Sequence, residues 1–222
     1  MGQGTAPYHW ILDEAGALIV ADHLNTERTK LGWQHSIAAS IAHSQKLHHH
    51  VEVNEFFTRL AVEANVADGV LSEWYGERTC HHIFSGSLVA DGYGVLDVPG
   101  RAPLHFLVEL DRGTETTGRL SEKAKAYTRI LPASSLNNLD PLVLLLVPSP
   151  TRAESAASAL AYSAAPITVA VWSKDSTSSV FTTVINAHER LRQSQPAPIR
   201  EGLRSDVGSD LLDRPKDHDD KR

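Results

Sequence analysis

The chain has 222 residues, of which 41% are hydrophobic and 22% are charged, so it is long enough for a globular domain and is not disordered throughout. Its single cysteine, Cys80, excludes an internal disulfide, and neither a signal peptide nor a long apolar run is visible, which together predict a cytoplasmic protein without a membrane span. The net charge of −6 argues against a surface that binds nucleic acid throughout, although a local basic groove is compatible with it.

The N-terminal part of the chain is predicted to contain an annex and then a helical segment. We expect residues 1–33 to form the annex, with a short strand, an Asp-Glu-Ala-Gly turn and an apolar segment over 8–24, followed by a polar loop. Residues 34–66 carry apolar side chains at helical spacing, with a break near the histidine run.

Strands and helices alternate through the rest of the predicted domain, which we place at residues 34–189. The order is α-β-β-β-α-β-α-β, which predicts an α/β fold with a mixed central sheet flanked by helices. From 190 to 222 the composition shifts to Gln, Pro, Arg, Asp and Gly without an apolar period, and a disordered tail is expected there. The predicted elements after the first helical segment are strands 70–77, 92–98 and 103–111, helix 117–132, strand 141–147, helix 151–164 and strand 166–172.

The strand over 103–111 ends with two acidic residues on one face. Side chains alternate along a strand, so Glu109 and Asp111 point the same way. A hairpin turn near Gly100 and Arg101 should pair residues whose numbers sum to about 201. A bulge of one residue would make this sum even, and the Asp91 side chain would then lie on the same face as Glu109 and Asp111. Three converging carboxylates suit Mg²⁺ or Mn²⁺, so these three acids are predicted metal ligands. The alternative is a pair of strand-end acids bound to arginine or lysine, from the set Arg112, Arg119 and Lys123.

The helix over 117–132 can add a cation to this cluster. On a helical wheel Lys123 lies about 70° from the apolar stripe and can reach over the sheet, whereas Lys125 should face water. A lysine beside metal-held carboxylates can orient a water molecule or neutralise a phosphorane, and this is the role we predict for Lys123; the alternative is a surface lysine. Tyr127 lies on the apolar stripe, which favours a core residue with a hydrogen-bonded hydroxyl over a covalent nucleophile.

Histidines and glycines near these elements have simpler interpretations. His49 or His50 is expected to pack at the edge of the site, and the alternative is a zinc site that joins one residue of 48–50 to Cys80 and His81. The two glycines of the strand over 92–98, Gly92 and Gly94, are predicted to serve turn or bulge geometry and not phosphate binding.

Five segments resemble the replication-relaxation family of plasmid and mobile-element proteins in order and spacing, over about residues 8–172. The most specific is ELDRGTE with the lysine and tyrosine that follow it. The resembling segments are HHHVEVNEFFTRL (48–60), ADGYGVL (90–96), HFLVELDRGTE (105–115), LSEKAKAY (120–127) and LVLLLVPSPTRAES (142–155).

The resemblance implies a divergent branch of the restriction-endonuclease-like, PD-(D/E)-x-K, nucleases, with a plasmid DNA partner and with other replication or mobilisation proteins as further partners. It carries metal binding onto Asp91, Glu109 and Asp111 and the lysine role onto Lys123. The chain departs from the family pattern at Ala90, where proline is usual, and at Asp111, where the nuclease motif has lysine. Residues 1–33 resemble only the final wing and helix of the winged helix-turn-helix that precedes this core in the family, so a remnant of that DNA-binding module is expected there.

Three functions are compatible with the sequence. The first is Mg²⁺- or Mn²⁺-dependent nicking or cleavage of DNA in plasmid replication or mobilisation. The second is a non-catalytic DNA-binding or scaffold protein of the same fold, and the third is a protein-interaction module of a mobilisation complex. The acid and lysine cluster favours the first, whereas the net negative charge and the incomplete upstream module favour the others.

Overall fold

The structure is a computed structural model, and it describes residues 11–42, 44 and 46–194. The predicted tail lies outside these residues from 195 onwards. The helices and strands are α1 (Glu14–His23), α2 (His35–Ala42), α3 (Leu47–Val66), β1 (Val70–Gly76), α4 (Glu77–Ile83), β2 (Gly92–Asp97), β3 (Leu104–Leu110), α5 (Thr117–Ile130), β4 (Leu142–Val147), α6 (Pro150–Leu160), β5 (Ile167–Val171) and α7 (Val180–Ser194), with short 3₁₀ turns at Arg28–Leu31, Leu131–Ala133 and Asn137–Leu139.

One five-stranded mixed sheet organises the chain, in the order β1-β2-β3-β4-β5. The first three strands form an antiparallel meander, and β3, β4 and β5 run parallel to one another. The predicted α/β class with helices on both faces of a mixed sheet is therefore confirmed.

Alternation along β3 divides the core between the two faces of the sheet. Phe106, Val108 and Leu110 pack with α3 and α7, while Leu107 packs on the opposite face with residues of α4 and α5. Strand β4 is buried along its whole length, because helices cover both of its faces. The side chains of Leu107 and Glu109 therefore lie on the same face of β3, so Glu109 follows directly after the core that α4 and α5 cover.

The structure differs from the predicted elements in three places. The Asp-Glu-Ala-Gly turn is the start of α1, because the Asp13 side chain accepts a hydrogen bond from Gly16 N at 2.7 Å and caps the helix. Helix α4 directly follows β1 and was not expected. Helix α7 was not expected either and extends to Ser194, so the predicted tail cannot begin at 190.

The glycines of β2 allow aromatic rings to pack directly on the strand. A Cβ at Gly94 would lie 2.4 Å from Phe106 Cζ and 2.9 Å from Phe57 Cε1, and one at Gly92 would lie 2.6 Å from Phe57 Cε2. The expected role in a turn or bulge was wrong, since the strand irregularity falls in β1, between Leu71 and Glu73. Small residues are required here because the ring of Phe57 occupies the space that a side chain would need.

Substituting Gly94 by alanine should lower the free energy of unfolding by about 1–3 kcal/mol, because the new methyl group overlaps two rings that have no space to move. Urea denaturation measures the loss. Gly118→Ala on α5 is the matched control, because its Cβ would come no closer than 4.0 Å to another atom, so stability should stay level or rise slightly. Equal effects of the two substitutions would contradict this packing.

Candidate active site

The hairpin register brings the first acid to the other two. Strand β2 pairs with β3 as Gly92 with Val108 and Tyr93 with Leu107, so the residue numbers sum to 200. The even register, which the sequence left open, is the one observed. Continued by one residue, it sets Asp91 opposite Glu109, and the Asp91 side chain accepts a hydrogen bond from Leu110 N at 2.8 Å.

Each of the three carboxylates contacts a basic side chain from a different helix. Asp91 Oδ1 lies 2.8 Å from His49 Nε2 of α3, and Glu109 Oε2 lies 2.8 Å from Lys123 Nζ of α5. Asp111 Oδ2 lies 2.6 Å from Nε of Arg152, at the start of α6. The expected repulsion between the acids is therefore compensated by three side chains that converge from both faces of the sheet.

Glu109 is the most confined of these acids. Its side chain is only 3% exposed, and its second oxygen, Oε1, accepts a hydrogen bond from the Tyr127 hydroxyl. Burial raises the pKa of Glu109 to about 7, and the Lys123 ammonium and the Tyr127 hydroxyl oppose that rise. Burial and the Glu109 charge also raise the pKa of Tyr127 well above its ordinary value, so its phenol stays a hydrogen-bond donor. Tyr127 is buried in the core, as its position on the apolar stripe predicted.

Lys123 lies between two carboxylates. Besides Glu109 it contacts Glu115 Oε1 at 3.2 Å, and its side chain is 26% exposed. Burial lowers the pKa of Lys123, but the charges of the two glutamates and the hydrogen bond to Glu109 outweigh burial, so the pKa is raised and the ammonium persists. Lys125, in contrast, is 72% exposed, as the helical wheel predicted. It pairs with Glu122 on the same helix.

Asp111 is completely buried and makes a separate set of contacts. Its Oδ1 accepts hydrogen bonds from the backbone amides of Gly113, at 2.8 Å, and Glu115, at 3.4 Å, while Arg152 binds Oδ2 through both Nε and Nη2. The sequence interpretation missed Arg152 as a partner. The signal that could have found it is its position just after strand β4, since β3 and β4 are parallel and end at the same edge of the sheet.

Arg112, another cation considered for this cluster, pairs with Glu52 at 3.3 Å. Arg119 lies in the first turn of α5, where its backbone amide is hydrogen-bonded to the Thr116 side chain. Of the predicted partners, only Lys123 forms an ion pair with one of the acids.

His49 is the histidine that contacts the acid cluster. The sequence predicted a position at the edge of the site for His49 or for His50. The hydrogen bond to Asp91 raises the pKa of His49, burial lowers it, and the charges of Asp91, Glu77 and Glu52 raise it further, so the net direction is upward. His50 lies 3.8 Å from Glu77. Burial raises the pKa of Cys80 to about 12, so its thiol is protonated when no metal ion is bound.

No group of three or more His, Cys, Asp or Glu side chains is arranged to hold a metal ion within residues 11–42, 44 and 46–194. Every carboxylate oxygen of the three acids already accepts a hydrogen bond or lies in an ion pair. The metal prediction stays a prediction.

The fold and the site define an α/β protein in which acids from one β-hairpin meet a lysine from the next helix. The chain belongs to the replication-relaxation family, whose profile matches residues 1–140. This membership indicates a role in plasmid replication or relaxation, and hence a DNA-related function. No curated protein and no solved structure matched the chain. Over the described part of the chain, no helix has the length and apolar character needed to cross a membrane.

Replacing Arg152 by alanine should lower the free energy of unfolding by about 3–5 kcal/mol, because it leaves the Asp111 carboxylate buried without its cation. Chemical denaturation checks the value. Lys125→Ala, which breaks an exposed pair, should cost only about 0.5 kcal/mol. A small loss in the Arg152 variant, comparable to that of the control, would show that Asp111 does not depend on this pair.

The His49–Asp91 pair should make stability depend on pH. The folded-state pKa of His49 is raised above its ordinary value of 6.5, so the pair stabilises the fold fully below pH 6.5 and this contribution is lost as the pH rises through the raised pKa. Thermal melts of wild type and His49→Gln should therefore differ most at low pH and converge at high pH. Substituting His23 of α1 by glutamine is the control. A wild-type advantage that grows with pH would contradict the pairing.

Proposed function

We propose that this protein nicks or cleaves DNA during plasmid replication or mobilisation, with Asp91, Glu109 and Lys123 as its reacting groups. The observation that carries the proposal is the 2.8 Å contact between Lys123 Nζ and Glu109, next to Asp91 on the neighbouring strand. Two acids and a lysine in one cluster are the groups that phosphodiester hydrolysis requires, because charge develops on the phosphate and a water must be oriented.

The element order supports a restriction-endonuclease-like core for this site. Helix α3, the meander β1-β2-β3, helix α5 and strand β4 follow one another as α-β-β-β-α-β, apart from the short α4 after β1. The acids lie where β2 begins and β3 ends, and the lysine comes from the helix that follows. The nuclease motif has a lysine in the strand, at the position that Asp111 occupies in this chain. In our proposal Lys123, from the following helix, takes the role of that lysine.

The donor chemistry at Asp91 and Glu109 fits Mg²⁺ or Mn²⁺, which take hard oxygen ligands and often use only one or two protein carboxylates beside water and phosphate. These two acids would hold the ion. Asp111 is set apart from these two acids, because its side chain is 0% exposed and a guanidinium, from Arg152, binds it beside two backbone amides. A bound ion would stabilise negative charge on the phosphate oxygens.

The protein side chains have distinct tasks in this proposal. Lys123 is a fixed positive charge at the solvent edge of the cluster, able to orient a water molecule or neutralise the phosphate. Tyr127 holds Oε1 of Glu109 and fixes the direction of that carboxylate. His49 does the same for Asp91 from the other side of the site.

One observation favours a second candidate, a non-catalytic DNA-binding or scaffold protein of the same family. In this structure the three acids and their cations form closed ion pairs in which every carboxylate oxygen is engaged. Such a network can serve stability alone, and it would then neither bind a divalent ion nor react.

Plasmid conversion separates the two candidates. Supercoiled plasmid is incubated with the protein in Mg²⁺ or Mn²⁺, and open-circle and linear forms are measured. Asp91→Asn and Glu109→Gln should abolish cleavage and weaken Mn²⁺ binding, because each removes a charged ligand. Lys123→Met should leave Mn²⁺ binding in place and slow cleavage by about 10² or more.

Lys125→Met is the matched control, since it removes a lysine two residues away on the exposed face of α5 and should cleave like wild type. Circular dichroism must show that each variant is folded. Wild type that cleaves equally well after Glu109→Gln would overturn the site assignment. Wild type that binds no Mn²⁺ and leaves plasmid from its own replicon supercoiled would support the non-catalytic candidate.

A further inference from the structure

The loop after β3 is organised by one buried side chain. Asp111 Oδ1 accepts hydrogen bonds from Gly113 N and Glu115 N, which turns the chain back over the end of the strand. Gly113 supports the turn with a φ of +82°, a backbone conformation that residues other than glycine rarely adopt. The position of Glu115 is therefore set by the backbone that Asp111 folds.

Arg152 ties both ends of this loop to helix α6. Its Nε donates to Asp111 Oδ2 at 2.6 Å, and its Nη2 donates to the backbone carbonyl of Glu115 at 2.6 Å. A guanidinium suits this task because its donors lie in one rigid plane and reach two acceptors at once. Arg152 on helix α6 thus fixes the loop that runs from Asp111 to Glu115.

The fixed loop directs a carboxylate at the lysine of the site. Glu115 Oε1 lies 3.2 Å from Lys123 Nζ, in addition to the 2.8 Å contact of Nζ with Glu109 Oε2. The other oxygen, Oε2, is buried and accepts no hydrogen bond within the described residues. A buried oxygen without a hydrogen bond costs free energy. The Glu115 side chain is therefore not placed by its own hydrogen bonds alone, and the fold of the loop determines where it lies.

We propose that Glu115 is a positioning residue that holds the Lys123 ammonium beside Glu109, and that Asp111 and Arg152 act by placing Glu115. Asp111 thereby has a role other than the metal ligation expected from the sequence. Only the benefit to DNA cleavage rests on the proposed function; the placement of Lys123 can be measured without it.

The reason for two carboxylates is geometric. A lysine side chain has four rotatable bonds, and a single ion pair leaves its ammonium free to move around one acceptor. The two contacts hold Nζ next to both Glu109 and Glu115. Removal of the Glu115 carboxylate should leave the Lys123 side chain with one of these contacts and let it reach solvent more often.

Acylation kinetics of individual lysines test this directly. Folded full-length protein is treated with acetic anhydride, and the modification of Lys123 and Lys125 is followed by mass spectrometry. In Glu115→Gln the rate at Lys123 should rise about threefold or more, because the side chain loses one of its two carboxylate contacts and reaches solvent more often. The rate at Lys125 should not change. Glu122→Gln is the matched control: it removes the charge beside Lys125 and should leave Lys123 unaffected.

The chain of placement is tested with Arg152→Lys, which keeps the positive charge but loses the planar fork. It should raise the Lys123 rate as Glu115→Gln does, and the double variant should exceed neither single variant, because both act through the same contact. Additive effects would overturn the role of Arg152. If Arg152→Lys does not fold, Glu115→Gln alone decides whether Glu115 positions the lysine.

An unchanged Lys123 rate in Glu115→Gln would overturn the proposal, and so would an equal rise at Lys125, which would indicate general loosening. The plasmid assay separates this result from the proposed reaction. Faster labelling of Lys123 together with slower cleavage supports both ideas. Faster labelling in a protein whose wild type does not cleave supports the positioning role and counts against the reaction.

Discussion

The burial of two carboxylates at the end of one strand is the constraint on which the rest of this structure depends. Glu109 and Asp111 are both removed from solvent, and a buried charge without a partner costs several kcal/mol. Each acid therefore needs its own cation, and Lys123 and Arg152 come from two different helices. The requirement fixes how α5 and α6 dock on the sheet, and so it links the fold to the site.

Part of this arrangement follows from the sequence alone. Strict alternation in β3 placed Glu109 and Asp111 on one face, and helical periodicity separated Lys123 from Lys125. These features depend only on local geometry. The central strands were equally clear, because their apolar runs are long and uninterrupted.

Features that depend on tertiary docking could not be derived in the same way. Whether Asp91 joins the cluster depends on a hairpin register that differs by one residue between the two alternatives. The Asp111 partner, Arg152, lies 41 residues further along the chain, and only the parallel pairing of β3 with β4 brings it close. Gly94 was misjudged for a related reason, since a ring from another element, Phe57, fills the space above it. Helix α7, in contrast, had a signal in Val180, Val184 and Ala187 that could have been used.

The cluster serves two purposes in this account, because the cations that make burial of the acids tolerable are also the groups that chemistry would use. Lys123 is held by Glu109 and Glu115 yet remains partly open to solvent, and the Asp91–His49 pair is also partly exposed. The Asp111–Arg152 pair supports the adjoining loop and is closed off. This division separates the part of the site that we propose to react from the part that supports it.

A crystal structure grown with Mn²⁺ and a short DNA duplex tests the central claim most directly. We predict anomalous density between Asp91 and Glu109, with the Lys123 ammonium in contact with a phosphate oxygen or with a water molecule beside it, and with the Asp111–Arg152 pair unchanged. Crystals that contain DNA and Mn²⁺ but show no density there, with Lys123 bound only to Glu109 and Glu115, would contradict this and identify the cluster as a structural ion-pair network.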